Sequence, residues 1–278
     1  MKFTILIANY NNGRFFKNCY DSIIAQEYKN WEVIITDDAS TDNSVEIIND
    51  LIKGDPRFRL LINPENKGCG YTKRKCMEYA SGTYCAFLDP DDALYPNALK
   101  DSVEHLQNSR NIAVYSKLTF CDEDLNAIGD FKKIKQIYNE KYFFNSPIQL
   151  HHFFSFKRDA YLKTEGIDPT LASAVDQDLY LKLLEHGNAK YIPVRMYKYR
   201  QHAQGISQSS SKEKAKMSFA KVIFNSFKRR NISKIGGKSI PKDYKNTEDI
   251  FSLLDYQTKI GYRLKAKILG FFQKDSLF

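Results

Sequence analysis

The sequence lacks the features of an exported or membrane-spanning protein. Its five cysteines are odd in number and scattered without a Cys-x-x-Cys pair, so they indicate neither a disulfide framework nor a zinc site. The opening stretch, MKFTILIANYNN, has too few apolar residues for a signal peptide, and no apolar run approaches the roughly 18 residues that span a bilayer. We therefore expect a cytoplasmic chain that neither crosses nor leaves a membrane by itself.

The familiar glycine-rich phosphate loops are also missing. Gly68 and Gly70 lie in the segment GCGYTKRK, but their spacing fits neither a GxGxxG fingerprint nor a GxxxxGK[ST] loop. A phosphorylated ligand would therefore not be neutralised by a glycine-rich loop. A divalent cation held by carboxylates would serve instead.

The composition is that of a folded chain with a basic end. With 278 residues, 42% of them hydrophobic, the chain is long enough for one large α/β domain with additions or for two small domains. Residues 211–278 carry 16 of the 42 Lys and Arg residues and 6 of the 33 Asp and Glu residues, so residues 1–210 are close to neutral. This asymmetry predicts a catalytic or binding domain followed by an appendage that seeks an anionic surface.

Short apolar runs alternate with segments of helical spacing in the first 90 residues. The runs cover 3–8, 31–37, 58–62 and 83–89, and the helical segments cover 14–28, 42–53 and 70–81. This alternation predicts right-handed crossovers and a parallel sheet with both faces covered. In such sheets, ligands bind at the carboxyl ends of the strands.

Polar residues cluster directly after three of these runs, at 9–12, 37–40 and 89–92. The last cluster crowds Asp89, Asp91 and Asp92 into four positions. Two carboxylates about 4 Å apart repel by about 4 kcal/mol at an effective dielectric constant near 20. A solvated turn is the alternative, because Asp and Pro are common turn residues. Three clusters at one edge of a sheet favour a binding site with a cation among the carboxylates.

The second half is less regular. We expect a strand at 112–120, a long functional loop around 122–147, a helical stripe within 166–187 that stops at Gly187, and a strand from 191 that leads to Arg200 and His202. Asp176 and Asp178 lie at the amino-terminal end of the expected helix. The helix dipole favours carboxylates there, which is the structural explanation for both.

The segment 259–274, KIGYRLKAKILGFFQK, predicts an interfacial helix on anionic lipid. The alternative is a helix packed back over the catalytic domain. We expect no nucleic-acid role, because no recognised module accompanies the charge. One face carries Ile260, Leu264, Ile268 and Phe271 or Phe272, whereas the basic residues elsewhere are Lys259, Arg263, Lys267 and Lys274.

Five segments together resemble, in order and spacing, the motifs of family 2 glycosyltransferases of the GT-A fold. They are LIANYNN, VIITDDASTDNS, NKGCGYTKRKCMEYASGTYCAFLDPDD, GIDPTLASAVDQDLYLKLLEHG and YKYRQHAQGIS. The resemblance implies an α/β fold with a Rossmann-like, mostly parallel sheet flanked by helices. We expect a GT-A catalytic domain at 1–207, with a nucleotide-binding half (1–110) and an acceptor-binding half (111–207). A basic helical extension would follow at 208–278.

The resemblance also implies a nucleotide-sugar site. Asp38 would hydrogen-bond the base, Tyr10 would stack near it, and the backbone at Ala8, where the family often has Pro, would lie close by. Lys73 stands where an Arg usually sits and would meet the base or a phosphate as a point charge. Asp89 would reach the ribose.

A metal site is implied beside the nucleotide. Asp91 would bind the ion, with Asp92 as the alternative ligand, and His202 matches a histidine that closes the metal site in many GT-A enzymes. Magnesium prefers oxygen ligands whereas manganese accepts nitrogen, so we expect Mn²⁺ to work at least as well as Mg²⁺.

Asp176 matches the catalytic base of the family. It would take the proton of a sugar hydroxyl that attacks the anomeric carbon in a single, inverting displacement. Many relatives have Glu directly before this position, whereas this chain has Val175. We expect Asp178 to pack against its neighbours or to cap the helix. We expect His151 and His152 to lie near the acceptor cleft.

The expected function is a metal-dependent inverting glycosyltransferase. UDP-linked sugars are the first expectation for the nucleotide-sugar donor, and the acceptor would be a saccharide or a lipid-linked saccharide. The setting would be bacterial surface polysaccharide or glycolipid synthesis, with the tail on the inner face of the membrane. The alternative, suggested by Val175, is a non-catalytic module that binds a nucleotide sugar or a divalent cation. A nucleotidyltransferase would need a glycine-rich, basic loop that LIANYNNGRF lacks. The sequence indicates no oligomeric state.

Overall fold

Strands and helices alternate along the first third of the chain, as the apolar runs predict. The structure is a computed structural model, and it describes residues 1–202 and 212–275. All four expected strands and all three expected helices of this region are present, and one further helix, at Ala98–Leu106, was not predicted. The elements are β1 (Phe3–Asn9), α1 (Gly13–Ile24), β2 (Trp31–Asp37), α2 (Ser44–Ile52), β3 (Phe58–Ile62), α3 (Cys69–Tyr79), β4 (Tyr84–Phe87), β5 (Ala93–Leu94) and α4 (Ala98–Leu106).

The rest of the described chain adds strands to the sheet and then a mainly helical extension. The added elements of the domain are β6 (Ala113–Cys121), β7 (Ala127–Asp130), β8 (Phe154–Lys157), α5 (Arg158–Tyr161), α6 (Val175–Leu184) and β9 (Ala189–Arg200). The extension contains α7 (Lys212–Arg229), β10 (Lys234–Ile235), β11 (Lys238–Ser239), α8 (Thr247–Ser252), a 3₁₀ helix (Asp255–Thr258) and α9 (Ile260–Asp275).

The main sheet of the described residues has nine strands in the order β3-β2-β1-β4-β8-β6-β9-β5, with β7 on β6. The strands β1 to β4 run parallel, whereas β8 is antiparallel to both β4 and β6. The register pairs Asn9 with Asp37 and Leu6 with Phe87, so the polar segments after β1, β2 and β4 meet at one edge. The strand order reverses between β1 and β4, and ligands bind beside such a reversal in α/β sheets.

The core lies on both sides of β1. Ile5, Leu6 and Ile7 are each fully buried although they are consecutive, which is the pattern of a strand covered by helices on both faces. Complete burial of an aliphatic side chain stabilises the fold by about 1.5–3 kcal/mol, so this strand anchors the edge at which the polar segments meet.

One prediction for the second half needs correction, because the long loop expected around 122–147 contains the strand β7. The helix predicted with Asp176 and Asp178 at its amino-terminal end is present and begins at Val175. This helix, α6, ends at Leu184, before Gly187, whose added Cβ would lie 2.7 Å from Ile112. The strand expected from 191 is β9, and residues 203–207 of that prediction lie outside the described residues.

The extension packs against the domain through its first helix. A second cluster of buried residues joins Phe144 to Phe224 and Phe227 of α7 and to Ile250 of α8. The α7 residues Arg229 and Arg230 also form ion pairs with Glu185, at 3.0 and 3.2 Å.

The last helix, α9, exposes its apolar side. Ile260, Leu264 and Ile268 are 75%, 55% and 57% exposed, so these three side chains are not packed back over the domain. The side chains of Phe271, Phe272 and Lys274, which the sequence also places on this helix, lie outside the described part. Among residues 1–202 and 212–275, none of the helices combines the length and the apolar character that a membrane crossing requires.

Gly70 sets the distance between α3 and the loop before α6, and this contact generates a prediction. The Gly70 amide donates to the Leu171 carbonyl at 2.9 Å, and an added Cβ would lie 2.4 Å from the Asp168 carbonyl oxygen. We expect Gly70→Ala to lower the free energy of unfolding by about 1–3 kcal/mol, because a backbone oxygen must move. Urea unfolding measures this, with Gly129→Ala as control because nothing lies within 4 Å of its added Cβ. Equal stability of the two variants would contradict the contact.

Candidate active site

A pocket of about 870 Å³ opens at the carboxyl ends of β1, β2 and β4. Its wall includes residues from α3, α6 and the end of β9, and Ala215, Lys216 and Phe219 of α7 line one side. All nine predicted site residues line this pocket, although they are spread over almost 200 positions of the sequence: Ala8, Tyr10, Asp38, Lys73, Asp89, Asp91, Asp92, Asp176 and His202.

Asp38 organises the side of the pocket that lies after β2. Its carboxylate accepts hydrogen bonds from Asn63 Nδ2 (2.7 Å), the Lys67 amide (2.9 Å) and the Gly68 amide (2.8 Å). A carboxylate offers about four acceptor positions, so one remains for an incoming N–H group. Tyr10, 43% exposed, lines the same pocket.

Asp37 holds the neighbouring part of the rim and was not among the predicted site residues. Its Oδ2 accepts from Asn9 Nδ2 and from the Ser40 hydroxyl, both at 2.7 Å, and its Oδ1 accepts from the Ser40 amide at 2.8 Å. The sequence contains a signal for this contact, because Asn9 and Asp37 each end an apolar run and the two strands pair in register.

The turn that carries Asp89, Asp91 and Asp92, which we call the acidic turn, is anchored by residues of β9. The buried carboxylate of Asp92 accepts from the Tyr197 hydroxyl and from the Arg200 amide, both at 2.7 Å. The Arg200 side chain donates to the Asp91 carbonyl at 2.6 Å and lies over the ring of Phe15. Tyr197 and Arg200 therefore position the acidic turn.

The acidic turn remains short of positive charge. Burial and the charges of Asp91 and Asp89 raise the pKa of Asp92 well above its ordinary value. Burial and the charge of Asp89 also raise the pKa of Asp91. These carboxylates therefore favour a further cation, as their crowding in the sequence predicts.

His202 brings an imidazole to this turn. Its Nε2 lies 2.9 Å from Asp91 Oδ2, and its buried Nδ1 has no hydrogen-bond partner. In the part of the chain that the structure describes, no three His, Cys, Asp or Glu side chains form a complete metal cage. Asp91 and His202 fit an ion that takes one or two protein ligands and fills its other positions with substrate phosphates and water.

Four side chains form what we call the polar ring: Asp89, Lys73, Asp176 and His152. The Lys73 ammonium lies 2.8 Å from Asp176 Oδ1 and 3.2 Å from Asp89 Oδ1. On the other side, His152 Nε2 lies 3.4 Å from Asp176 Oδ2 and 3.8 Å from Asp89 Oδ2. Asp176 comes from the first turn of α6, so the polar ring joins this helix to α3 and to the segment after β4.

The charges of the polar ring fix the ionisation of its members. Burial raises the pKa of Asp176, but the charges of Lys73 and His152 outweigh burial and hold this pKa well below its ordinary value. Burial lowers the pKa of Lys73, but Asp176 and Asp89 outweigh it and raise this pKa well above its ordinary value. At neutral pH, Asp176 is a carboxylate and Lys73 is an ammonium.

The residues around Asp176 have separate structural roles. Val175 is buried in the hydrophobic core. Asp178 accepts from the Asp168 amide (2.9 Å) and from Lys182 (2.8 Å), so it packs and holds the loop before α6. His151 lies just before β8, and burial, with the charge of His152, lowers its pKa to about 3, so its imidazole is neutral.

Comparison with known proteins gives four consistent matches. A sequence model described as "Glycosyl transferase family 2" matches residues 4–164. A curated chondroitin synthase of Pasteurella multocida (strain Pm70) is 29% identical over 268 residues, which are 96% of this chain and 27% of that protein. The chain therefore spans little more than a quarter of that relative's length.

Two solved structures share the architecture. S. aureus TarS 1–349 in complex with UDP-GlcNAc has a TM-score of 0.67 at 15% identity and covers 91% of this chain and 70% of that one. The mannosyltransferase PcManGT from Pyrobaculum calidifontis, in complex with GDP-Man and Mn²⁺, has a TM-score of 0.61 at 14% identity, with coverage of 99% and 87%. At these identities the matches concern the fold alone, and the expected GT-A fold is confirmed.

The ionic contacts of Lys73 generate a prediction for stability. Lys73→Met keeps much of the side-chain volume and removes the charge, which leaves Asp89 and Asp176 with His152 alone. We expect a loss of about 2 kcal/mol at pH 7, below the 3–5 kcal/mol typical of a fully buried pair, because both carboxylates are 28% exposed. Urea unfolding measures the loss, with Met in place of the exposed Lys53 as control.

The sign of the pH dependence follows from the lowered pKa of Asp176. Its stabilising contribution is present above the ordinary aspartate pKa of about 3.9 and is lost as the pH falls towards the lower folded-state value. The gap between wild type and Lys73→Met should therefore be wide at about pH 7 and narrow below about pH 4. A gap of the same size at both values would contradict the charge pairing.

Proposed function

Because the chain belongs to glycosyl transferase family 2, we propose that its pocket transfers a sugar from a nucleotide sugar to a saccharide hydroxyl with inversion. The observation that carries this proposal is the polar ring. It ties Asp176, the proposed base, to Asp89 of the acidic turn within one pocket.

The donor would lie along the side of the pocket that Asp38 and Tyr10 line. Asp38 would accept a hydrogen bond from the base, Tyr10 would stack near it beside the backbone of Ala8, and Asp89 would reach the ribose. Lys73 would turn towards a phosphate. UDP-sugars are the first candidates, and the complex of the S. aureus protein with UDP-GlcNAc supports this choice.

A divalent cation, Mn²⁺ at least as well as Mg²⁺, would be held by Asp91 and His202. Asp92 is the alternative ligand, but both of its oxygens already accept hydrogen bonds, which favours Asp91. When bound, such an ion supplies positive charge that stabilises a departing nucleoside diphosphate. The Mn²⁺ in the mannosyltransferase complex supports this assignment.

Asp176 would act as the general base. The acceptor oxygen forms a bond to the anomeric carbon, its proton passes to Asp176, and the bond to the phosphate oxygen breaks with its electron pair leaving on the diphosphate. Attack from the face opposite the diphosphate inverts the anomeric carbon. A move of Lys73 towards the donor phosphates would weaken its hold on Asp176 and make that carboxylate a stronger base.

We place the activity in bacterial polysaccharide or glycolipid synthesis in the cytoplasm, and the bacterial chondroitin synthase supports the polysaccharide class. The catalytic unit would be 1–207, divided near residue 110 into donor and acceptor halves, with 208–278 as the extension. Residues 203–211, where the two would join, lie outside the described residues.

Two variants separate transfer from binding. We expect Asp176→Asn to reduce transfer by about 10²–10⁴-fold, because the amide cannot take the proton, with little change in binding of the donor nucleotide. Asp91→Ala should weaken Mn²⁺-dependent UDP binding as well. UDP release measures transfer, and the UDP-induced rise in melting temperature measures binding.

Asp50→Asn, an exposed carboxylate of α2 outside the pocket, is the matched control. Full turnover by Asp176→Asn would remove Asp176 as the base. Turnover that survives complete chelation would remove the metal. UDP binding by the wild type without transfer to any of a broad acceptor panel would favour the non-catalytic binding module.

We further propose that α9 lies on an anionic lipid surface, which would bring a lipid-linked acceptor to the enzyme. Its exposed apolar residues Ile260, Leu264 and Ile268 form one stripe at intervals of four. A parallel basic row, Lys259, Arg263 and Lys267, precedes them by one position each. Burial and the charges of Arg263 and Lys267 lower the pKa of Lys135, so the positive field extends to the loop before β8. This combination suits an anionic bilayer.

Vesicle sedimentation tests the lipid surface. Wild type should bind vesicles with about 30% anionic lipid more tightly than neutral ones, and salt should weaken the binding, because each basic residue near the surface contributes about 1 kcal/mol. Replacing Ile260, Leu264 and Ile268 by Ser should abolish binding. The matched control replaces the exposed Ile62, Ile128 and Leu162 by Ser. Equal binding by both triple variants, or none by wild type, would contradict this surface.

A further inference from the structure

We infer that His152 is a positioning residue that holds the carboxylate of Asp176 in place for the transfer step. The inference rests on the proposed function, because it assigns a partner to the base. The inference goes beyond the proposed function, because His152 itself would touch neither donor nor acceptor.

The carboxylate of Asp176 is held from two sides. Lys73 binds Oδ1 at 2.8 Å, and His152 Nε2 faces Oδ2 at 3.4 Å. In this arrangement the carboxylate cannot rotate without losing one contact, and once Lys73 turns towards a donor phosphate, the His152 contact is the one that still holds the carboxylate. A base must lie within hydrogen-bond reach of the proton that it takes, and a displacement of about 1 Å can cost 100-fold in rate.

The imidazole of His152 is itself fixed by packing. Its ring stacks on Tyr197 with centroids 5.0 Å apart at 19°, and the Tyr180 hydroxyl lies 3.4 Å from its Nδ1. Tyr197 in turn donates to Asp92 at 2.7 Å. A packed series of side chains therefore connects the acidic turn to the base.

The burial of the His152 side chain indicates a positioning role rather than direct contact with a substrate. The side chain of His152 is 6% exposed, against 28% for Asp176, so an acceptor would meet the carboxylate rather than the imidazole. If His152 served only to fill the core, its contacts with Tyr197 and Tyr180 would be sufficient. The Nε2 atom instead faces the two carboxylates of the polar ring.

Two replacements of His152 separate positioning from packing. His152→Gln keeps a side-chain N–H that can reach Asp176, whereas His152→Leu fills the space without a donor. We expect the Leu variant to lose about 100-fold in kcat with the donor KM within about threefold of wild type. The Gln variant should recover about tenfold of that loss.

The control is His105→Gln on α4, a partly buried histidine outside the pocket, which should leave kcat unchanged. If the Leu variant does not fold, Tyr180→Phe replaces it. Loss of the hydroxyl beside Nδ1 should lower kcat by about three- to tenfold at constant donor KM.

Each outcome is decisive. Wild-type kcat in the His152 variants, equal losses in Gln and Leu, or a loss confined to donor KM would overturn the positioning role while the proposed function stands. Absence of transfer by wild-type protein that binds UDP would overturn the proposed function, and the role of His152 with it.

Discussion

The Lys73 ammonium between Asp89 and Asp176 is the interaction on which the site depends. Asp89 follows β4 and Asp176 lies in the first turn of α6, so two carboxylates that would otherwise repel each other come from distant parts of the sequence. At about 4 Å such repulsion amounts to about 4 kcal/mol at the effective dielectric constant of a protein surface. A single cation from α3 turns this repulsion into an attraction across the pocket.

The pocket is divided into two electrostatic regions. Around Asp176, the contacts of Lys73 and His152 favour the ionised carboxylate. Around Asp91 and Asp92, hydroxyl, amide and imidazole groups do not offset burial and mutual repulsion, and the pKa values of both residues are raised. A further cation is therefore favoured more at the acidic turn than beside Asp176, where Lys73 already supplies positive charge.

The sequence predicted the first third of the fold well because its signals are local. Apolar runs marked β1 to β4, and the polar segments after them meet at one edge because paired strands share a register. The contact of His152 with Asp176 could not be predicted, since a strand, a short helix and an irregular loop separate them and only tertiary packing brings them together. The helix that carries Asp176 was predicted from its apolar periodicity, with this carboxylate at its amino-terminal end.

One side of the pocket is built by the extension rather than by the domain. Lys216 and Phe219 of α7 line it, whereas the polar ring belongs entirely to residues before 180. Substitutions on the pocket-facing side of α7 would therefore change the outer wall of the cavity and leave the polar ring untouched. The shape of the entrance and the charges at the centre of the pocket can thus vary independently of each other.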